Sequence, residues 1–133
     1  MSVYVTDTHP LVWYAGGKKS MLSAKVSTAF EKADASEALI YIPAVTFWEI
    51  AILQNLGKIK LRENFANWSS GILAKSGFAI ANLDIDIIAD AVGFNFNNDP
   101  FDSAVVATAK KMDLSLITRD VAITESNLLE IFW

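Results

Sequence analysis

Hydrophobic positions along the chain switch between two periods. Short apolar runs at Val3–Thr6, Leu39–Ile42, Phe78–Ala81 and Leu114–Thr118 are rich in β-forming residues and bounded by polar or turn residues, which predicts buried strands. Between them, apolar residues recur at helical spacing. Pro10 opens a turn carrying Leu11 to Tyr14, stopped by Gly16-Gly17. Ser23 suits the N-cap of a helix with Val26, Phe30 and Ala33 inward and Lys25, Glu31 and Lys32 outward. Thr46 to Glu49 reads as a capping box opening a helix that Gly57 ends. Ile50, Ile52, Leu53 and Leu56 nearly encircle that helix, so it is expected to be buried. Phe65, Trp68, Ile72 and Leu73 mark another helix, stopped by Gly77, and Asp84 to Val92 a further one. Leu128 to Phe132 predicts a last edge strand.

The richest stretch is NDPFDSAVVATAKKMDLSLITRD, residues 98–120. Asp99 suits the N-cap, Pro100 the first helical position, and Asp102 the first turn, where the helix dipole favours negative charge. Val105, Val106, Ala109 and Met112 form the apolar stripe, Lys110 and Lys111 the basic last turn. Asp113 ends the pattern, a strand follows, and Asp120 comes just beyond it.

Strands alternating with helices predict an α/β fold with a mostly parallel sheet, and the absence of a linker or repeat predicts a single domain over 1–133. In such sheets the working site lies beyond the carboxyl ends of the strands. Asp7 and Asp120 fall there by position, and Glu49 and Asp102 open helices expected nearby. Singly, each acid is explained as a cap or turn residue. Jointly they would repel unless a divalent cation offset them, and an oxygen-only ligand set suits magnesium or manganese.

Composition narrows the chemistry. There are no cysteines, which excludes disulfides, thiolate zinc sites and cysteine nucleophiles, and agrees with a cytoplasmic setting. A single histidine, His9, leaves no His-rich metal site; with no evident serine partner it reads as a turn or packing residue. The N-terminus has no basic segment and no apolar run is long enough to span a membrane, so neither a signal peptide nor membrane insertion is expected. A net charge of −4 means that nucleic acid, if bound, is met by a local basic patch or a metal rather than by bulk charge. Lys58, Lys60 and Arg62, alternating with Ile59 and Leu61, form either a solvated face or a phosphate contact. The four tryptophans read as core or interface residues. The surplus of tryptophan and aliphatic residues on short helices predicts a homodimer with an apolar groove for a partner peptide.

The segments VTDTHPLVWY, VTFWEIAILQNLGKIKL and NDPFDSAVVATAKKMDLSLITRD, in this order and spacing, resemble the PIN domains of VapC-type toxins, the toxin halves of bacterial toxin–antitoxin pairs. The resemblance covers essentially the whole chain. It implies a PIN-like three-layer α/β/α fold and a magnesium- or manganese-dependent endoribonuclease silenced by a cognate antitoxin. By motif, Asp7 is the acid ending the first strand, Glu49 that of the WEI helix, Asp102 the second acid of DPFD and Asp120 the acid of TRD. These four would be the catalytic metal ligands, with Asp99 the cap of the turn. Two departures stand out: the family often carries His-Arg before DPFD and arginine after it, where this chain has Asn97-Asn98 and Ser103. Hydrolysis of RNA by metal-activated water is the expected reaction. Thr8, Asn98, Thr118 and Arg119 are candidates for orienting water or phosphate.

The alternative is a binding module that pairs with an antitoxin or other partner but cleaves weakly. A phosphohydrolase using Asp7 as a covalent nucleophile fits less well, because His9 stands where that chemistry often has a second acid.

Overall fold

In the computed structural model, which describes residues 1–133, five strands form one sheet: β1 (Ser2–Thr6), β2 (Ala38–Pro43), β3 (Phe78–Ala81), β4 (Ser115–Ile117) and β5 (Ile131–Phe132). Every neighbouring pair is parallel, and the order is β3-β2-β1-β4-β5. The chain steps outward from β1 to β2 to β3, then returns to the other side of β1 for β4 and β5. The carboxyl ends of β1 and β4 therefore flank the point where strand order reverses, the place where open α/β sheets form a crevice.

The helices are α1 (Thr8–Ala15), α2 (Ala24–Asp34), α3 (Ala44–Asn55), α4 (Phe65–Leu73), α5 (Ile85–Val92), α6 (Pro100–Met112) and α7 (Val121–Glu125). Alternation along the strands feeds two cores. Ile40, Ile42 and Ile117 join Phe30 and Trp68 on one face; Val5 and Leu116 join Val105, Val106 and Ile123 on the other. This is the expected three-layer α/β/α arrangement. Each fully buried large side chain, such as Phe30 or Ile40, contributes about 1.5–3 kcal/mol relative to exposure.

Helix α6 is buried without interruption from Ser103 to Ala109, and its alanines allow close approach to β1 and α5. Its predicted ends hold. Asp99 Oδ1 accepts from the Phe101 and Asp102 N–H groups at 2.9 and 3.3 Å, and Asp113 closes the helix in the left-handed region at φ 54°.

Several local expectations fail for physical reasons. The capping box at Thr46 does not form: β2 runs to Pro43, whose extended backbone passes straight into α3, with no side-chain cap. Thr46 is thus inside the helix, its hydroxyl buried without a partner, and Glu49 falls in the second turn. Helix α1 starts at Thr8, capped by Asp7, so Pro10 is accommodated in the first turn, where its missing N–H costs nothing. Helix α4 ends at Leu73, short of Gly77. Gly77 instead lets two backbones meet, since a Cβ there would lie 1.8 Å from the Ala33 carbonyl oxygen. The last strand is only Ile131–Phe132, and Leu128 and Leu129 pack on the second core. The short helix α7 is absent from the apolar pattern and depends on Asp120 as its cap.

Candidate active site at the carboxyl ends of the strands

Asp7 follows β1 directly, and its N–H donates to the Ile117 carbonyl of β4 at 2.9 Å. That bond holds the carboxylate at the strand-order reversal. Asp7 is buried, and both oxygens are engaged: Oδ1 accepts from the Thr8 N–H and Oδ2 from the Thr118 hydroxyl, each at 2.8 Å. Burial pushes its pKa up; the two hydrogen bonds oppose this, and Glu49 adds to it.

Glu49 reaches the same crevice from α3, its Oε1 accepting from the Thr8 hydroxyl at 2.5 Å. Asp102 enters from the first turn of α6, where Oδ2 accepts from the Asn97 amide at 2.9 Å. Its pKa is pushed up to about 7, first by burial and then by the charges of Asp7, Asp99 and Asp120, against the stabilising Asn97 bond. Asp120 lies beyond β4, its backbone N–H donating to the Thr118 hydroxyl at 3.0 Å and its Oδ1 capping α7 through Ile123 at 2.9 Å.

Asp7, Glu49, Asp102 and Asp120 all line one pocket of about 320 Å³, together with Asp99, His9, Pro10, Trp13 and Arg119. As the side chains stand, no three of the acids converge on a point that would hold an ion. Each is drawn aside by its own hydroxyl, amide or N–H donor. The donor chemistry nevertheless fits a hard divalent cation: five carboxylates line the pocket against a single imidazole, at a cost visible in the raised pKa of Asp102.

Positive charge at the pocket comes from Arg119, whose guanidinium lies 4.7 Å from the Trp13 ring and 5.8 Å from that of Trp133. Of the residues expected to orient ligands, Thr8, Thr118 and Arg119 are at the site, whereas Asn98 lines a separate apolar groove and Asn97 takes the orienting place. Ser103 is buried and lines that groove rather than the acid pocket. His9, read from sequence as a turn or packing residue, and Trp13, read as a core or interface residue, form part of the pocket wall. Their only sequence signal was a position on the turns following Asp7.

An α/β sheet with acids collected at its strand-order reversal defines a class of acidic-pocket proteins. The PIN domain family matches over residues 4–125, and the chain belongs to that family. In fold it is similar to a chain of VapBC2 from Rickettsia felis, solved bound to a DNA fragment from its promoter (TM-score 0.69, 12% identity, 98% of this chain and 97% of that one). It is likewise similar to a chain of FitAcB from Neisseria gonorrhoeae (TM-score 0.63, 20% identity, 98% and 96% covered). A chain of a toxin–antitoxin complex from Klebsiella pneumoniae gives a TM-score of 0.56 at 22% identity, with 88% and 86% covered. No curated protein matches the chain in sequence. No helix is long and apolar enough to cross a membrane.

Proposed function

We propose that this PIN domain is a metal-dependent endoribonuclease, the toxin member of a VapC-type toxin–antitoxin pair. The observation that carries the reading is the gathering of Asp7, Glu49, Asp102 and Asp120 on one pocket at the strand-order reversal. A divalent cation is the counter-charge that makes such a concentration of carboxylates tolerable. The four acids would hold magnesium or manganese, which when bound lowers the pKa of a water and offsets charge on the phosphate.

The chain's own residues prepare that site. Thr118 and Thr8 fix the orientation of Asp7, Thr8 also restrains Glu49, and Asn97 holds one oxygen of Asp102. Arg119, braced on Trp13, offers donors to a phosphate at the pocket rim. Attack by water rather than by the ribose 2′-hydroxyl leaves 5′-phosphate and 3′-hydroxyl ends. Single-stranded or looped RNA suits an open pocket, because its backbone is reachable there.

The antitoxin partner rests on the motif resemblance and on the similar Klebsiella chain coming from a toxin–antitoxin complex. An apolar groove of about 720 Å³ suits the partner peptide, and the exposed apolar side chains Trp48, Leu83, Ile88 and Val92 along it support a homodimer. The lack of cysteine agrees with a cytoplasmic setting.

The deciding experiment is incubation of purified protein with single-stranded RNA in magnesium, manganese or EDTA. Cleavage is expected with either metal, to stop with EDTA, and to vanish in Asp7→Asn while the circular dichroism spectrum stays unchanged. Cleavage surviving in EDTA or in Asp7→Asn refutes the metal centre. No cleavage by folded wild type with either metal leaves the pairing module as the correct reading.

A further inference from the structure

The ion pairs of the molecule use Lys19, Lys75 and Lys111. Lys18, Lys58, Lys60 and Arg62 enter none of them, yet all four line one groove of about 500 Å³. The groove lies between α1 with its following turn and the segment joining α3 to α4. That segment is held in place. Gly57 reverses the chain at φ 73°, and the Lys58 N–H donates to the Leu53 carbonyl at 2.9 Å. Ile59 and Leu61 then pack on the larger core, so alternation throws Lys58, Lys60 and Arg62 outward. The groove and the acid pocket share His9 and Trp13 in their linings, so the two cavities adjoin at those residues. The His9 and Trp13 ring centroids lie 5.7 Å apart, and Arg119, a residue of the acid pocket, lies over the Trp13 ring at 4.7 Å.

We propose that this groove is the track along which a single-stranded RNA lies on its way into the acid pocket. The proposal rests on the ribonuclease reading and gives it a substrate path. Unpaired, exposed cations on a protein of net charge −4 are positioned to meet phosphates locally, and a single strand can place a splayed base against the exposed His9 ring. An acidic peptide would satisfy the cations but leave the exposed His9 ring unused.

The test is fluorescence anisotropy of a labelled 12-nucleotide single-stranded RNA with full-length protein in EDTA, where the bare acid pocket repels phosphate and the groove alone binds. The combined variant Lys58→Gln/Lys60→Gln/Arg62→Gln is compared with wild type and with Lys25→Gln/Lys32→Gln/Lys75→Gln, which removes the same net charge elsewhere. The groove variant should lose at least about tenfold in affinity, and the slope of log K against log salt should flatten by about 2, from ~0.7 per lost phosphate contact. The control variant should bind as wild type does. In magnesium, the groove variant should also raise KM for cleaving the same RNA. Equal losses in both variants, or an unchanged salt slope, overturn the track. Binding of a poly-glutamate peptide of equal charge by a protein that does not bind the RNA also overturns it. Wild type that cleaves while the groove variant keeps its affinity and KM sinks the track alone; wild type that binds through the groove and never cleaves sinks the nuclease alone.

Discussion

Replacing Asp102 by asparagine should stabilise the metal-free protein, and only above a definite pH. The Asp102 carboxyl titrates at about 7, because burial and the neighbouring Asp7, Asp99 and Asp120 oppose its ionisation. In the unfolded chain it titrates near the ordinary ~3.9. The folded state therefore binds the proton more tightly, so the benefit is complete below about pH 4 and is lost as pH rises through about 7. At pH 8 the fold carries the whole penalty of an ionised Asp102. The difference of roughly 3 pH units, at ~1.36 kcal/mol each, sets a ceiling of about 4 kcal/mol. Asp102 is only half-buried, and solvent screening reduces this to about 1–2 kcal/mol. The amide side chain of Asp102→Asn would keep an oxygen to accept from the Asn97 amide, now 2.9 Å from Asp102 Oδ2, so no hydrogen bond is sacrificed. Thermal melting in EDTA at pH 8 should then place Asp102→Asn roughly 3–8 °C above wild type, for a domain of this size. At pH 4 the two should melt together. Magnesium should raise wild type and largely fail to raise the variant. An Asp102→Asn protein that melts below wild type at pH 8, or shows the same offset at pH 4, refutes the electrostatic account of this pocket.

Asp99→Ala should behave oppositely, costing about 1 kcal/mol in urea denaturation at neutral pH with or without magnesium, because it removes the cap bonds to Phe101 and Asp102. Gly77→Ala should cost about 2 kcal/mol or more by the same measurement, since the added Cβ would collide with the backbone of Ala33 in α2 rather than with a flexible side chain. Ile88→Lys, on the exposed face of α5 beside the apolar groove, should convert a dimer to a monomer in sedimentation while leaving the far-ultraviolet circular dichroism spectrum intact. Wild type that stays monomeric at every micromolar concentration counts against the dimer.

Sequence alone determined what depends on neighbours within a few residues. The α6 cap, its Pro100 start, its basic last turn and the buried runs of β1, β2 and β4 all follow from short-range hydrogen bonding and from the period of the apolar residues. The alternation of strand and helix was enough for a parallel sheet, and a parallel sheet was enough to collect Asp7, Asp102 and Asp120 at one edge. Tertiary structure decided whatever spans the chain. Thr118 restrains Asp7 from 111 residues away and Thr8 restrains Glu49 from 41, distances at which no local pattern carries information. The same holds for Thr46, whose capping-box spacing lost to a strand that continues to Pro43 and starts the helix before the box could form. The alternation of Lys58 to Arg62 was plain in the sequence, but the side it faces was not. Only the packing of Ile59 and Leu61 on the core turns those cations toward a groove that adjoins the acid pocket, because which face of an alternating segment is buried is set by the surface it packs against.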